Sequence, residues 1–380
     1  MNNTAIPFHL AYESGPNGYS TDRSARKRLT LEQVLATRLT DFNQVKRAEP
    51  VVTVADCVFA RQGDFSLIMG QRKAGKTTVS QFIIATALMQ RIPVDLDTLG
   101  IQSRYCEGKD VIYIDTEGSE EDTADFLKGV LGIMGKTQKP ENFHVHRFRE
   151  YTQDECKEAV ELLFEYYSNS HLWLIDGIAD LIKSPNHEQE SNEAVRWVMK
   201  YANKLNTCMI LVIHENPGDG NRKARGHLGS ELERKSSGAL AVVKDNSTKP
   251  IRHLIQSRYL RKSADFEDIA FTFDPDTRRP SLHILTAEER ASMRSKDYSK
   301  TQELTKLRDK CFKGLGNTDE RSLKTSIKHS LGPQPSQDAA RMKTKRLLDG
   351  MIEKGLIRLE LIEDTNVYFP INEKGEAIDL

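Results

Sequence analysis

Short runs of apolar residues alternate, along the middle of the chain, with longer segments in which apolar residues recur every three or four positions. The short runs are typical of strands buried on both faces of a sheet, and the longer segments of amphipathic helices. Strands are predicted at 65–69, 111–114, 172–175, 209–213, 253–257 and 269–273. Helices are predicted at 78–90, 121–134, 153–168 and 190–205. This alternation predicts an α/β domain at 50–285 whose mainly parallel sheet is covered on both faces.

The segments on either side of this domain are more polar. Residues 1–49 are predicted to form an arm with one short helix near 29–36, for which Thr30 is the N-cap. The charged stretch 286–300 is interpreted as a linker, and a small winged-helix-like domain is predicted at 301–380. Its predicted elements are helices at 301–314, 318–330 and 336–354 and strands at 357–362 and 366–371.

Composition excludes several classes of protein. The chain has 380 residues, of which 38% are hydrophobic and 29% charged, with a formal net charge of zero. This balance is typical of a globular protein, and nucleic-acid binding would depend on local basic patches. The five cysteines lack metal-ligand spacing, which favours reduced thiols. No apolar run approaches the about 20 residues that span a bilayer, and no secretory signal is visible, so we expect a cytoplasmic protein without a membrane partner.

The residues after the first predicted strand carry the most specific chemistry. They match the phosphate-loop pattern G-x-x-x-x-G-K-[ST] and are Gly70, Gln71, Arg72, Lys73, Ala74, Gly75, Lys76 and Thr77, followed by Thr78. In the order strand, loop, helix, backbone N–H groups and the positive helix end surround phosphate oxygens. Lys76 would reach the β- and γ-phosphates of ATP, and the Thr77 hydroxyl would help to hold Mg²⁺. The alternative is a structural glycine-rich turn.

Two further strands end in carboxylates. Asp176 follows the strand at 172–175 and is the candidate ligand of Mg²⁺, directly or through water. Glu117 follows the strand at 111–114 and is the candidate that orients the attacking water and accepts its proton. Asp115 lies nearer the strand interior and is interpreted as structural. The alternatives are an aspartate at a turn for Asp176 and the start of an acidic helix cap for Glu117.

His214 directly follows the strand at 209–213. At this position an imidazole can donate to a γ-phosphate and change its contact after hydrolysis, which makes His214 the candidate sensor. The alternative is a histidine with a purely structural hydrogen bond.

The order of these motifs resembles the RecA-type ATPase core, in which a Walker A loop precedes a strand with a catalytic glutamate, a Walker B strand and a strand with a polar sensor. The resemblance covers about 50–285, and within the family the chain is similar to RepA-type and DnaB-type hexameric helicases of plasmids and mobile elements. In hexameric members a basic pair before the last strand reaches the ATP of the neighbouring subunit. The resemblance therefore implies that Arg258 and Arg261 are arginine-finger candidates, against the alternative of a solvated strand end.

The resemblance also implies that two loops, 183–188 and 217–229, line the central channel of a ring. The second loop is rich in glycine and carries Arg222, Lys223 and Arg225, which would follow a phosphate backbone without reading sequence. The alternative is an unstructured surface loop.

The third helix of the C-terminal domain is also basic. It carries Arg341, Lys343, Lys345 and Arg346, and Lys324 and Lys328 lie on the helix before it. In a winged-helix domain the third helix enters a DNA groove, although the same outline also serves as a protein-docking module.

These features and the resemblance together imply a ring-forming ATPase, expected to be a hexamer around single-stranded DNA. The expected activity is that of a helicase in replication or mobilisation of a mobile element, with proteins of that process as partners. Many relatives have Gln where this chain has His214, which leaves the sensor chemistry open. We also expect no N-terminal domain of the kind that binds primase in bacterial replicative helicases, which argues against a primase partner. A filament-forming recombination or repair ATPase and a regulatory or defence ATPase that switches a protein partner remain open.

Overall fold

A computed structural model describes residues 30–41, 43, 45–216, 223–246, 248, 250–331, 333–334, 336–363, 365–372 and 376–378, with the backbone alone at 292 and 294–300. The chain divides into two compact units, Met1–Arg47 and Ala48–Leu380. In the described part of the first unit, helix α1 (Leu31–Leu35) is the predicted short helix. Thr30 caps it as predicted, because its hydroxyl accepts the N–H of Gln33 at 3.2 Å.

A nine-stranded sheet forms the centre of the second unit. In spatial order its strands are β12 (Pro280–His283), β11 (Ile269–Phe273), β10 (Arg252–Leu260), β9 (Gly238–Asp245), β3 (Phe65–Gly70), β8 (Cys208–His214), β7 (Ser170–Asp176), β5 (Asp110–Asp115) and β6 (Phe143–Arg147). The five pairs from β9 to β6 are parallel, and the three pairs from β12 to β9 are antiparallel. The prediction of an α/β domain with a mainly parallel sheet is therefore confirmed, as are its six predicted strands.

Helices cover both faces of this sheet. They are α2 (Lys76–Leu88), α3 (Glu120–Met134), α4 (Gln153–Tyr166), α5 (Glu188–Lys204) and α6 (Gly226–Lys235), with a 3-10 helix at Ile178–Leu181. Alternate residues of β3 point to opposite faces, so that Ile68 packs with α2 and α3 whereas Leu67 packs with α4, α5 and α6. The four predicted helices are confirmed to within a few residues at each end.

The sequence pattern did not predict several of the strands. Strands β1 (Pro50–Val54), β2 (Cys57–Arg61) and β4 (Ile101–Ser103) form a separate antiparallel sheet of three strands. Strand β9 begins Gly-Ala-Leu-Ala, and small residues give a weak strand signal. Strand β6 is the outermost strand of the large sheet, and histidines alternate with apolar residues in it, so its sequence shows no continuous apolar run.

The predicted linker at 286–300 is wrong, because this stretch is the first half of a long helix, α7 (Ala287–Cys311). Thr286 and Glu289 form a capping box at its start, and the residues that follow are mostly good helix formers. The stretch looked like a linker because it has no apolar stripe. Arg252 of β10, which is buried, holds the helix start by donating to Glu289 and also donates to Asp245, each at 2.8 Å.

The C-terminal part contains the predicted three helices and strand pair. Its elements are the end of α7, β13 (Thr318–Asp319), α8 (Glu320–Ser330), α9 (Gln337–Glu353), β14 (Ile357–Ile362) and β15 (Thr365–Pro370). The three strands pair antiparallel in the order β13, β15, β14. Phe312, Leu323, Met351 and Tyr368 lie in its separate hydrophobic core. Along the described chain, every helix is too short or too polar to cross a membrane.

Candidate functional site

Four parallel strands bring the predicted residues of the phosphate site to the edge of the large sheet that is formed by the carboxyl ends of these strands. Gly70 at the end of β3 pairs with His214 at the end of β8, and Asp176 at the end of β7 pairs with Asp115 at the end of β5. Glu117 follows two residues after β5. Because the carboxyl ends of parallel strands meet at one edge, residues far apart in sequence converge there.

The predicted phosphate loop is a tight turn between β3 and α2. Its backbone has positive φ at Lys73 (59°) and at Gly75 (104°), which is the N-cap of α2 and provides no side-chain cap. A Cβ on Gly70 would lie 2.4 Å from the carbonyl oxygen of Val242, so β9 packs directly against the loop. The exposed loop residues are Gln71, Arg72, Lys73 and Thr77, and the buried ones are Ala74, Lys76 and Thr78. The open helix end is a geometry that suits an anion.

Lys76 is buried at the mouth of this loop, with 8% of its surface exposed. Its Nζ donates to the carbonyl oxygens of Gly70 and Gln71, both at 3.0 Å, and lies 3.2 Å from Nδ1 of His214. Burial lowers the pKa of Lys76, while the negative charge of Asp176 acts in the opposite direction. The ammonium is therefore held by neutral acceptors with carboxylates nearby.

His214 connects Lys76 to Glu117. A charged lysine can only donate, so Nδ1 of His214 is the acceptor and Nε2 carries the proton. That Nε2 lies 3.5 Å from Oε2 of Glu117. The hydrogen bond from His214 lowers the pKa of Glu117, although burial opposes the change. The carboxylate is therefore ionised at neutral pH and is coupled to the loop lysine through one imidazole.

Asp176 lies in an environment that disfavours its charge. Burial, and secondarily the charge of Asp115, raise the pKa of Asp176 to about 6, and Lys76 lowers it in part. The Tyr113 hydroxyl donates to Oδ2 of Asp176 at 3.3 Å. Sequence reasoning missed Tyr113, although its position two residues before Asp115 on β5 places both on one face of the strand.

Asp115 stabilises the turn that presents Glu117. Its Oδ1 accepts the N–H groups of Glu117 at 3.1 Å and Gly118 at 2.7 Å, and its Oδ2 accepts the Thr123 hydroxyl at 2.8 Å. The N-cap of α3 is Ser119, so Glu117 lies outside the cap. These contacts are the ones that a structural role for Asp115 requires.

Thr77 and Asp176 are the residues at this edge that would hold a magnesium ion if phosphate oxygens and water supplied its other ligands. Within the described residues, no cluster of three or more His, Cys, Asp or Glu side chains could hold a metal by itself. Mg²⁺ in nucleotide sites takes one or two protein ligands and completes its shell with phosphate oxygens and water. The exposed Thr77 hydroxyl and the Asp176 carboxylate are a donor set of this kind.

The arginine-finger candidates lie at the opposite edge of the sheet. Strand β10 runs antiparallel to β9, and its last residue, Leu260, pairs with Gly238 at the start of β9. Arg261 donates its backbone N–H to Ser237 at 3.1 Å, and its side chain donates to the carbonyl oxygen of Arg234. Arg261 therefore lies at the end of the sheet opposite the phosphate loop, and Arg258 lies two residues before Leu260 on β10.

Of the three basic residues predicted for the second DNA loop, Arg222 lies outside the described residues. Lys223 and Arg225 lie at the base of the loop, where the backbone N–H of Asn216 donates to Lys223 at 3.0 Å and that of Arg225 donates to His214 at 2.9 Å. The loop base is thereby attached to the backbone of the candidate sensor. In the first loop, Lys183 pairs with Asp154 at 2.8 Å.

The four basic residues of α9 lie on different faces of the helix. Arg341 and Lys345 line a groove of about 880 Å³ between α8 and α9. Three cations of α8, which are Arg321, Lys324 and Lys328, line the same groove. Lys343 and Arg346 are exposed and lie off it. The groove thus combines cations of two helices, and the sequence pattern alone did not indicate the contribution of Arg321.

The chain matches no protein-family model, and no curated protein matches it.

The raised pKa of Asp176 gives a prediction about stability and pH. With a pKa of about 6 in the folded protein and about 3.9 in an unfolded chain, the folded state binds the proton more tightly. Ionised Asp176 therefore destabilises the fold above pH 6, and this effect fades as the pH falls toward 4. We expect Asp176→Asn to raise the free energy of unfolding, and the gain at pH 8 to exceed that at pH 4.5 by about 2 kcal/mol.

Urea unfolding of the protein without nucleotide or Mg²⁺, at both pH values, measures this difference. The exposed Asp95 provides the control Asp95→Asn, which is expected to change stability by less than about 0.5 kcal/mol. A gain of equal size at both pH values, or a loss at pH 8, would contradict the burial argument.

Proposed function

We propose that this protein is a RecA-type ATPase that forms a ring, expected to be a hexamer, around single-stranded DNA and acts as a helicase in replication or mobilisation of a mobile element. The observation that carries the proposal is the contact chain from Lys76 through His214 to Glu117, beside Asp176 and an uncapped helix start. The order of the parallel strands supports it, because β3, β8, β7 and β5 are neighbours. In this order the four motifs of the resemblance share one edge.

In this proposal the phosphates of ATP lie in the turn between β3 and α2. Lys76 would exchange its contacts with two carbonyl oxygens and His214 for phosphate oxygens, which carry full charge and are stronger acceptors. Thr77 and Asp176 would hold Mg²⁺, which neutralises charge on the phosphate oxygens when bound. Tyr113 would keep the carboxylate of Asp176 in place through its hydroxyl.

Glu117 would orient the attacking water and accept its proton. Because the hydrogen bond from His214 lowers the pKa of Glu117, the carboxylate is ionised and able to accept at neutral pH. When Lys76 turns to the phosphates, Nδ1 of His214 loses that contact. The imidazole then becomes free to respond to the γ-phosphate, and Arg225 at the base of the predicted DNA loop donates to its backbone.

The position of Arg258 and Arg261 supports a site that is completed by a second copy of the chain. Strand β10 carries both arginines toward the end of the sheet opposite the phosphate loop, where a head-to-tail neighbour could bring its own loop to them. In the C-terminal part, three helices and the β14–β15 hairpin support the winged-helix-like interpretation. The cationic groove between α8 and α9 would contact DNA phosphates.

Variants of the two central residues test the proposed hydrolysis. We expect Lys76→Ala to lower both nucleotide affinity and kcat/KM, the latter by about 100-fold or more, because a charge contact to phosphate is lost. We expect Glu117→Gln to lower kcat by about 100-fold while ATP binding changes little. Phosphate release, with and without single-stranded DNA, measures both effects, and the exposed Glu121 provides the control Glu121→Gln.

Several outcomes would decide against parts of the proposal. Hydrolysis by Lys76→Ala at the rate of the parent protein would refute the site. Hydrolysis that ignores DNA, together with absent strand displacement, would favour a regulatory switch. Filaments instead of rings in negative-stain images with ATP and single-stranded DNA would favour a recombination ATPase.

Mixing two inactive proteins tests the site between subunits. We expect Lys76→Ala and the double variant Arg258→Ala/Arg261→Ala each to hydrolyse ATP at least about 100-fold more slowly than the parent. In mixed rings, about one interface in four would join an intact loop to intact arginines, so activity should return to about a quarter. Steady-state hydrolysis after subunit exchange measures the recovery. A mixture that is no more active than the sum of the two separate proteins would refute the assignment of both arginines to the neighbouring subunit's site.

Binding of duplex DNA tests the two faces of α9. We expect Arg341→Ala/Lys345→Ala to weaken binding about tenfold and to make the negative slope of log K against log salt shallower by about 2, because two phosphate contacts are lost. Lys343→Ala/Arg346→Ala removes the same charge from the same helix off the groove and should change the slope by less than about 0.5. Fluorescence anisotropy with a labelled duplex measures both. Equal losses from the two variants would refute the groove as the contact surface.

A further inference from the structure

His253 contacts the phosphate loop from a neighbouring strand. Its Nδ1 lies 2.7 Å from the carbonyl oxygen of Ala74. Because a carbonyl oxygen can only accept, Nδ1 carries the proton and donates. Burial lowers the pKa of His253, so the ring is neutral at physiological pH and has this one tautomer.

Aromatic packing keeps the His253 ring in place. The ring is 6% exposed, stacks on Phe271 with centroids 5.2 Å apart and meets the edge of Phe273 at 5.1 Å. The backbone of His253 pairs with Phe271 on one side and Lys244 on the other. The donor to Ala74 is therefore attached to the inner part of a sheet rather than to a loop.

The loop residue next to Ala74 needs such a restraint. Gly75 has φ of 104°, and without a side chain it gives its peptide bond little conformational preference. A Cβ on Gly75 would lie 3.0 Å from Phe271 and 3.3 Å from Nδ1 of His253, so both rings support the loop from its outer side. The glycine allows the rings to come this close, and the rings limit the freedom of the glycine.

Because the Ala74–Gly75 peptide bond is planar, the hydrogen bond from His253 to the Ala74 oxygen also sets the direction of the Gly75 N–H. In a trans peptide the C=O of one residue and the N–H of the next point in opposite directions. His253 holds the Ala74 oxygen on the outer side of the loop. The N–H of Gly75 consequently points to the inner side, where the proposed phosphate lies.

We propose that His253 is a positioning residue of the phosphate loop, which fixes the Ala74–Gly75 peptide so that its N–H is oriented toward a phosphate of a nucleoside di- or triphosphate before that ligand binds. The inference rests on the proposed function in one respect, namely that this loop binds nucleotide phosphates. A donor that is oriented in advance raises affinity because the ligand does not have to order it.

Two substitutions of His253 separate its hydrogen bond from its bulk. His253→Leu fills similar space without a donor. His253→Asn places an amide nitrogen at the same number of bonds from the backbone as Nδ1 and can still donate to Ala74. We expect His253→Leu to weaken the binding of Mg-ADP about tenfold and to raise KM for ATP more than it lowers kcat. We expect His253→Asn to remain within about threefold of the parent.

Calorimetric titration with ADP and steady-state hydrolysis measure the two constants, and thermal unfolding reports any loss of folded protein. A ¹⁵N spectrum of the parent protein should show His253 protonated at Nδ1. Equal weakening by Leu and Asn, unchanged ADP binding by His253→Leu, or an Nε2-protonated ring would each overturn the inference. Absence of ADP binding by the parent itself would instead refute the proposed function, so the two failures are distinguishable.

Discussion

The arrangement of side chains at the carboxyl ends of the parallel strands depends on one constraint, the stabilisation of a buried ammonium group. Lys76 lies among backbone carbonyls and one imidazole, and burial lowers its pKa. A buried charge must keep acceptors around it, and here they are the carbonyl oxygens of Gly70 and Gln71, at and just after the end of β3, and the His214 ring at the end of β8. Because these strands are parallel neighbours, the lysine contacts His214, and Nε2 of His214 in turn lies 3.5 Å from Oε2 of Glu117, which follows β5. Any anion that enters the loop competes for the lysine and thereby changes the contacts of the other two.

Strands β9 and β10 support the phosphate loop in addition to widening the sheet. Strand β9 contacts the loop through the Val242 carbonyl, and β10 does so through His253. The far end of β10 leads to Arg261 at the opposite edge. If the ring that we propose forms, one strand would join the loop of its own subunit to the residues that serve the neighbour. In this arrangement the rings of His253 and Phe271 would pack behind the loop, and the arginines of an adjacent chain would bring positive charge to its front.

The sequence predicted the central strands well because each is a short apolar run bounded by polar residues. It predicted the stretch 286–300 poorly because a solvated helix without an apolar stripe resembles a linker. Among site residues, those at strand ends were recognisable from motif order alone. Tyr113 and His253 were not, since each lies inside a strand and its role depends on a contact with a residue far away in the sequence. Tyr113 contacts Asp176, 63 positions away, and His253 contacts Ala74, 179 positions away.

The sequence alone determined that short apolar strands are followed, in a fixed order, by the phosphate loop at Gly70, by Glu117, by Asp176 and by His214, because local pattern and motif spacing are properties of neighbouring residues. Only the tertiary structure decided which of these side chains touch, which face of α9 meets α8, and which strand supports the loop from behind. Those outcomes depend on strand order and helix rotation. Both are set by how the whole core packs, which no local segment encodes.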